Sequence, residues 1–247
     1  MTMNTHRSLA RVPIAPYALP SGECLAYNKI TWPLSSDRAV LLVHDMQNYW
    51  IDLYEDKAAI VAPVARLLKL FREARLPVVY CRGERAQTRF ERGLGLTVWG
   101  DGLNAAHVTE HDCAIADAVA PDAESYVIEK SRHSAFFKTP LEELLRKMNR
   151  DQVVVCGVFA HHGVMVSTID GYMPNFQMTL VTDAWGDTAK TSITLRSNTW
   201  RKCPVRSAHL KTSSTCFRSP LRKSATSESH HLTTDPPAHY PDRRSDP

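Results

Sequence analysis

The stretch Ala39-Val-Leu-Leu-Val-His-Asp-Met-Gln47 opens the organised part of the chain. Its first six residues form a short, almost continuous apolar run with β-branched members, which is typical of a strand covered by helices on both faces. The run ends at Asp45, so a carboxylate follows the predicted strand directly. We therefore expect a buried strand of a parallel sheet with a polar residue at its carboxyl end.

Strand and helix patterns alternate along the rest of this region. From residue 57 to residue 74 apolar side chains recur at helical spacing, and Pro63 fits such a helix only if it lies in the first turn. Alternation at these intervals favours right-handed βαβ crossovers, and hence an α/β fold with a doubly wound, mostly parallel sheet and helices on both faces. The further predicted strands have the same pattern of a strand buried on both faces and cover 77–81, 126–130, 152–156 and 178–182, and the further helices cover 141–148 and 164–172.

Polar residues follow three of these strands. Ligands of such sheets bind beyond the carboxyl ends of the strands. Asp45, Lys130 and the segment 157–163 all fall there, so we expect them to share one crevice. Each signal is weak by itself, because an Asp after a strand is more often a helix cap and a Lys at a strand end is more often solvated. The segment 157–163 leads into a predicted helix, where backbone N–H groups can hold an anion.

The charge of the chain is concentrated at its end. The net charge is +4, but residues 201–247 carry nine Lys and Arg against four Asp and Glu, which leaves the first 200 residues at −1. The basic balance therefore gives no reason to expect a nucleic-acid partner of the folded part. No apolar run approaches the roughly 20 residues that span a bilayer, so we expect neither a membrane partner nor a membrane location.

The six cysteines have no spacing typical of metal ligands, and no secretory segment opens the chain. We therefore expect reduced thiols, a cytoplasmic location and neither metal nor cofactor. Adjacent His161 and His162 point in different directions on a helix or a strand, which disfavours a metal site. Cys156 lies inside an apolar strand, so a buried, inert thiol is the better interpretation.

We predict three regions along the 247 residues. Residues 1–37 are an N-terminal arm on the domain surface, and residues 38–185 are one α/β domain of ordinary size. In residues 186–247 apolar residues become sparse and neither periodicity persists. We expect this basic, low-complexity tail to be aberrant or disordered. One hypothesis is a shifted reading frame, and the alternative is a natural disordered tail; translating the gene in its other two frames separates them.

Four groups of residues together resemble the isochorismatase family: Val43-His-Asp-Met-Gln47, Trp99-Gly-Asp-Gly102, Lys130 with Ser134-Ala-Phe136, and Gly157-Val-Phe-Ala-His161 with Gly163. The resemblance covers about residues 17–183 and is closest to the branch of isochorismatases and the phenazine-pathway hydrolase of aminodeoxyisochorismate. It implies an isochorismatase-like hydrolase fold and a homo-oligomer. It also implies an ether hydrolase that releases pyruvate from a small enolpyruvyl ether, with no catalytic cysteine.

The resemblance also implies roles for single residues. Asp45 would be the general acid, with Lys130 close to it, contacting the substrate carboxylate or tuning the acid. Gln47, Arg92, Trp99, Phe159 and Gly163 would bind substrate. Among these, Arg92 would face a carboxylate, Trp99 would form an aromatic wall, and the main chain near Gly163 would donate to a substrate oxygen. A cis peptide is implied between Val158 and Phe159.

The chain also departs from the family pattern. Val164 stands where the family's cysteine hydrolases carry their nucleophile, which excludes amide hydrolysis through a thioester. Gly83 and Phe159 replace a pocket Gln and Tyr, and Ser131 and His133 replace the Trp and Tyr beside the Lys–Arg pair. Two alternatives therefore stay open: a hydrolase of another small substrate on the same fold, and a catalytically silent binding or dimerisation module.

Overall fold

The structure, a computed structural model, describes residues 13–19, 28, 30, 32–86, 88–188 and 206–208. Within these residues the strands form one six-stranded sheet, in which every neighbouring pair is parallel. The strands are β1 (Ala39–His44), β2 (Val78–Gly83), β3 (Tyr126–Lys130), β4 (Gln152–Val158), β5 (Gln177–Gly186) and β6 (Arg206–Ala208). The predicted parallel α/β sheet is confirmed.

Seven α-helices connect and cover these strands in the described part of the chain. The helices are α1 (Asn48–Ile51), α2 (Lys57–Glu73), α3 (Arg89–Arg92), α4 (Leu94–Trp99), α5 (Glu110–Cys113), α6 (Leu141–Lys147) and α7 (Met165–Tyr172). The described residues also form 3-10 turns at 102–104 and 117–119 and a π turn at 160–164.

The strand order β3-β2-β1-β4-β5-β6 fixes where a ligand can bind. The chain runs outward from β1 to β3 and then returns to place β4 on the other side of β1. The connections that follow β1 and β4 therefore diverge to opposite faces of the sheet and leave a crevice between them. Asp45 follows β1 and the turn 160–164 follows β4, so both lie at this crevice.

Alternating side chains of β1 serve two apolar cores. Leu41 and Val43 pack in the core that contains the buried face of α2, whereas Val40 and Leu42 pack in the core that contains α6 residues. Because every residue of β1 is buried, the strand shows an unbroken apolar run rather than an alternating pattern.

Helix α2 begins after Asp56, whose carboxylate accepts a hydrogen bond from the Ala59 N–H at 3.1 Å. Pro63 lies inside this helix and is buried, so the expectation that it must occupy the first turn is wrong. A proline at this position removes one helical hydrogen bond. Ile60, Val64 and other apolar residues of the same face pack in the core and offset that loss.

Strand β3 differs from the prediction of a strand buried on both faces. It pairs only with β2 and forms one edge of the described sheet. Tyr126 and Val127 are exposed, whereas Ile128 and Lys130 are buried. An apolar run does not distinguish an edge strand from a central one, which explains the error.

Described residues of the predicted N-terminal arm contact the domain, whereas residues 1–12, 20–27, 29 and 31 lie outside the described residues. Ile14 is buried and pairs with Tyr54 in an isolated parallel bridge. The Asn28 side chain donates to the Ser207 carbonyl at 2.7 Å and accepts from the Ser207 N–H at 2.8 Å. These bonds join the N-terminal region to β6.

Strand β6 also corrects the sequence interpretation, because residues 206–208 fall in the segment for which no strand was predicted. They pair with residues 179–181 of β5. The remaining predicted tail, 189–205 and 209–247, lies outside the described residues. Within the described part of the chain, no helix is long and apolar enough to cross a membrane.

Candidate active site

Asp45 and Lys130 meet at the carboxyl ends of β1 and β3. The Lys130 ammonium donates to Asp45 Oδ2 at 2.8 Å and to the Arg132 carbonyl at 3.2 Å. The Lys130 side chain is 5% exposed and the Asp45 side chain 13% exposed. The structure therefore brings together the two residues that the sequence proposed as a pair, in a setting that largely excludes water.

The backbone turns sharply at Asp45. Its φ is 49°, in the left-handed region, and its N–H donates to the Cys81 carbonyl at 2.9 Å. Asp is one of the few side chains that adopt this conformation readily, and such residues concentrate at functional sites. The turn ends β1 and directs the carboxylate into the crevice.

The two carboxylate oxygens of Asp45 are not equivalent. Oδ2 accepts from Lys130 and also lies 3.3 Å from Nδ1 of His44. Oδ1 is buried and has no hydrogen-bond partner among the described residues. A buried acceptor without a partner is costly, so it marks a place for a substrate, a water or a proton. Oδ1 is therefore the oxygen available for chemistry.

The charges around Asp45 hold it ionised when no substrate is bound. Burial alone raises the pKa of this carboxyl, but the charges of Lys130 and His44 outweigh burial and lower the pKa to about 2. The same surroundings act on His133, whose pKa is lowered by burial and by the Lys130 charge. The crevice thus has a positive field that favours an anionic ligand.

His44 is a functional candidate that the sequence analysis missed. It is fully buried; its Nδ1 lies 3.0 Å from the Val158 carbonyl, and its Nε2 lies 3.1 Å from Ser167 Oγ. Burial lowers the pKa of His44, but the negative charge that Cys81 and Asp45 can carry outweighs it and raises the pKa to about 9. A polar residue inside an otherwise apolar strand pattern was the available signal, since buried polar groups need partners.

Two glycines make room for His44. Gly157 has a φ of 110°, and a Cβ there would lie 2.1 Å from the His44 carbonyl oxygen. A Cβ on Gly163 would lie 2.1 Å from the His44 ring. Gly163 was predicted to bind substrate through the main chain, which stays a prediction; in the structure its lack of a side chain allows the π turn at 160–164 to approach His44 closely.

Gln47 lies beneath the crevice rather than open to it. It is fully buried, its Nε2 donates to the carbonyls of Gly83 and Cys113, and its Oε1 accepts from the Gly83 N–H at 2.7 Å. Both hydrogens of the Gln47 amide are donated to backbone carbonyls, and its oxygen accepts from a backbone N–H. Gln47 therefore has no free donor for the predicted contact with substrate. In the structure Gln47 instead joins the end of β2, at Gly83, to the end of α5, at Cys113.

Trp99 lies beside two histidines near the mouth of the crevice. Its ring makes edge contacts with His133 and His162, at centroid distances of 6.1 and 5.4 Å, and the two imidazoles stack at 5.3 Å. Arg92, half-buried, donates through Nε and Nη2 to the Gly100 carbonyl at 3.0 and 2.9 Å. Trp99, His133 and His162 therefore form one cluster of aromatic rings. Arg92 stabilises the turn after Trp99 through its two bonds to the Gly100 carbonyl.

Phe159 packs away from this wall. Its ring contacts Trp50 edge-on at 5.7 Å and Tyr54 in a stacked arrangement at 6.2 Å. The peptide between Val158 and Phe159 is cis, as the family resemblance implied. The cis bond turns the chain between β4 and the π turn at 160–164.

One group of side chains has the composition of a metal site. Ligand atoms of His44, Asp45 and Cys81 lie within 4.8 Å of one another. Lys130 already neutralises Asp45, and both ring nitrogens of His44 have other contacts, so these residues fit an ion poorly. The absence of a metal stays a prediction. Cys156 is fully buried with its pKa raised by burial, in agreement with an inert thiol.

A second buried carboxylate lies near the crevice and was not predicted. Asp187 follows β5, is fully buried, and contacts Nδ1 of His161 through its carboxylate Oδ1. Its backbone N–H and carbonyl both bond the Tyr17 hydroxyl, at 2.6 and 2.9 Å. His161 is thus held against Asp187, while its ring lies tilted by 40° against the ring of His162, with the centroids 3.7 Å apart.

Comparison with known proteins identifies the family. Residues 39–200 match the isochorismatase domain. The chain belongs to the isochorismatase family. The "Probable isochorismatase" of Pseudomonas chlororaphis and the "Phenazine biosynthesis protein PhzD" of Pseudomonas fluorescens are each 37% identical to it over 179 residues, covering 72% of this chain and 85% of theirs. Enterobactin synthase component B of Escherichia coli K12 is 33% identical over 175 residues, which cover 69% of this chain and 60% of that protein.

Solved structures support the same fold. A cysteine hydrolase from Pseudomonas syringae pv. phaseolicola has a TM-score of 0.67 and 24% identity, and the match covers 76% of this chain and 96% of that one. At this identity the likeness concerns the fold alone. The isochorismatase-like fold predicted from the sequence is confirmed, and the chain is a hydrolase of this family.

Proposed function

We propose that this isochorismatase-family protein hydrolyses the enolpyruvyl ether of isochorismate or of an amino analogue, giving pyruvate and a dihydro-hydroxy ring acid. The observation that carries the proposal is the asymmetry of the Asp45 carboxyl. Lys130 and His44 both lie against Oδ2, and Oδ1 is buried without a partner among the described residues. A carboxyl held in this way presents one oxygen to a substrate as an acid.

Relatives support the same chemistry. Among the similar proteins are a probable isochorismatase, a phenazine biosynthesis protein and an enterobactin synthase component. Their names favour an isochorismate-like substrate and a place in phenazine, siderophore or related aromatic biosynthesis. Val164, in the position of the family's nucleophilic cysteine, favours an ether substrate over an amide.

The reaction needs an acid rather than a nucleophile. The proton of Asp45 Oδ1 moves to the terminal carbon of the enolpyruvyl group, whose π electrons form the new C–H bond. This leaves an oxocarbenium ion, and a water molecule adds to it while the Asp45 carboxylate takes up a proton from that water. The hemiketal then collapses: the bond to the ring oxygen breaks, that oxygen takes the hemiketal proton, and pyruvate leaves.

A low pKa suits this acid once it is protonated. Carbon is a poor base, so the transfer needs a strong acid, and Lys130 and His44 stabilise the carboxylate that remains. Before the transfer, the bound substrate raises the pKa of Asp45, because the carboxylates of the substrate bring negative charge next to the Asp45 carboxyl. Protonation of Asp45 therefore accompanies substrate binding, with Lys130 placed to attract the enolpyruvyl carboxylate.

A second candidate function is hydrolysis of another small molecule on the same site. Gly83 has no side chain to contact a ligand, and its backbone is bonded to Gln47. Phe159 has no hydroxyl and packs against Trp50 and Tyr54. The two polar contacts that the family resemblance implies are therefore missing, which favours a changed substituent on the substrate.

The test is direct. Purified protein is mixed with isochorismate, and pyruvate is followed with time; Asp45→Ala is the control. Release by the wild type and its loss in the variant support the proposal. No release from a folded wild type removes it, and then a panel of other enolpyruvyl ethers separates the second candidate from a catalytically silent module.

A further inference from the structure

A buried network behind Asp45 joins three parts of the fold. His44, the last residue of β1, contacts the Val158 carbonyl at the end of β4 and Ser167 Oγ in α7. Ser167 is fully buried, and its Oγ also accepts the Ala135 N–H at 2.8 Å. Ala135 lies five residues after Lys130. One hydroxyl therefore links the β1 end that carries Asp45 to the segment that follows Lys130.

The hydrogen on His44 Nδ1 is fixed by its neighbours. Nδ1 faces the Val158 carbonyl at 3.0 Å and Asp45 Oδ2 at 3.3 Å, and a carbonyl and a carboxylate are both acceptors. Nδ1 therefore carries hydrogen whether the imidazole is neutral or charged. Ser167 can donate to Nε2 or accept from it, so it holds the ring in either state.

Steric contacts hold the ring in the same place. A Cβ on Gly163 would lie 2.1 Å from the ring, so the π turn at 160–164 packs directly on the imidazole. Since the ring has no room to turn, its Nδ1 edge stays toward Asp45 Oδ2. Lys130 approaches the same oxygen from β3. Lys130 and His44 together occupy Oδ2, whereas Oδ1 is buried without a hydrogen-bond partner among the described residues.

We infer that His44 is a positioning residue for the Asp45 acid, and that Ser167 is the residue that holds His44 for this role. His44 does not touch the reacting atoms. It fixes which oxygen of Asp45 carries the proton and lowers the affinity of the carboxylate for that proton. The inference rests on the proposed function of Asp45 and adds the two buried residues that make it a directed acid.

Amide substitutions separate the two edges of the ring. In His44→Asn the amide nitrogen can take the place of Nδ1 and still donate toward Val158 and Asp45. In His44→Gln the longer amide reaches toward Ser167 but leaves the Nδ1 position empty. We expect His44→Gln to lower kcat by about 100-fold with KM little changed, and His44→Asn to retain more of the activity.

Ser167→Ala removes the hydroxyl with little change in volume, and Thr168→Val is its matched control. Thr168 is the next residue of α7, is equally buried, and its hydroxyl donates only to the Val164 carbonyl within the described structure. Loss of a buried hydroxyl as such affects both variants. A fall in kcat confined to Ser167→Ala supports the link to His44, and equal kcat in the two variants contradicts it.

A second readout needs no substrate. The carboxyl of Asp45 is titrated by carbon NMR in the wild type and in the His44 and Ser167 variants. The charged or titratable groups nearest to it are Lys130 from β3, His44 from β1 and Cys81 from β2, with His133 farther away. Among these groups, only His44 is altered in the two His44 variants. A higher Asp45 pKa in His44→Gln than in His44→Asn therefore supports the inference.

The two proposals fail in different ways. If the wild type releases no pyruvate from isochorismate, the proposed substrate is wrong, but the carboxyl titration still decides the role of His44. If His44→Gln and Ser167→Ala keep both the wild-type Asp45 titration and the turnover of Thr168→Val, the positioning role is overturned. If a His44 variant does not fold, Ser167→Ala against Thr168→Val decides.

Discussion

Replacing Lys130 with methionine removes the charge that stabilises the Asp45 carboxylate while keeping most of the side-chain volume. In the wild type the two charged groups are 2.8 Å apart and nearly buried. The lowering of the Asp45 pKa from 3.8 to about 2 corresponds to roughly 2 to 3 kcal/mol, at roughly 1.4 kcal/mol for each pKa unit. Removing one partner of a buried pair also leaves the other uncompensated, so we expect Lys130→Met to lose roughly 3 to 5 kcal/mol of unfolding free energy near neutral pH.

The size of this loss depends on pH in a defined direction. In the wild type the folded pKa of Asp45 lies below its unfolded value of roughly 3.9, so the stabilisation is present above about pH 4 and is lost as pH falls toward 2. In Lys130→Met the pKa rises, and the buried carboxylate takes up a proton at a higher pH. The difference in unfolding free energy between the wild type and Lys130→Met therefore becomes smaller at low pH. It shrinks by about 1.4 kcal/mol for each unit by which the Asp45 pKa of the variant exceeds the pH of the measurement.

Urea unfolding near pH 7.5 and near pH 4.5 measures this difference. Lys69→Met on α2 is the control, because Lys69 is 75% exposed and its pair with Glu73 at 3.8 Å is worth little in solvent. We also expect Lys130→Met to lose about 100-fold or more in turnover while remaining folded. A stability loss no larger than that of Lys69→Met, or equal losses at the two pH values, would refute the electrostatic account of this pair.

Three further outcomes follow from the site. The Asp45 carboxyl must gain a proton when substrate binds, so kcat/KM should fall as pH rises. Calorimetry in two buffers of different ionisation enthalpy should show that binding takes up a proton. Substrate binding that does not depend on pH would contradict this coupling. Gly163→Ala should lower the free energy of unfolding in urea by about 1 to 3 kcal/mol and should lower turnover, because the added Cβ would meet the His44 ring. An unchanged free energy of unfolding would show that the packing around this ring is loose. The Cys156 thiol should escape alkylation in the native protein and react in urea, as read by peptide mass spectrometry; rapid native labelling would disprove its burial.

The sequence predicted the sheet well because its central strands are buried on both faces. Residues 39–44 and 152–156 form almost continuous apolar runs in the sequence, and the structure pairs the two strands in register at the centre of the sheet. The Asp45 and Lys130 pair was also accessible, since parallel strands end at a common edge and both residues follow strands. Their closeness still depended on the strand order, which periodicity does not reveal.

Other features depended on tertiary contacts that no local pattern records. Ser167 looks like an ordinary helix residue, and only its closeness to His44 gives it a role. The Gln47 amide, expected to contact substrate, is bonded to backbone groups of Gly83 at the end of β2 and of Cys113 at the end of α5. Strand β6 is short and has no apolar run, so its place at the sheet edge comes from pairing with β5 and not from its own propensity.

The central claim is that the Asp45 carboxyl gives its proton to carbon. Single-turnover release of pyruvate from isochorismate, measured by rapid quench in ordinary and in heavy water, tests it most directly. The account predicts slower release in heavy water for the wild type and no release above the uncatalysed rate for Asp45→Asn. Equal rates in the two solvents, or pyruvate release by Asp45→Asn at the wild-type rate, would contradict it.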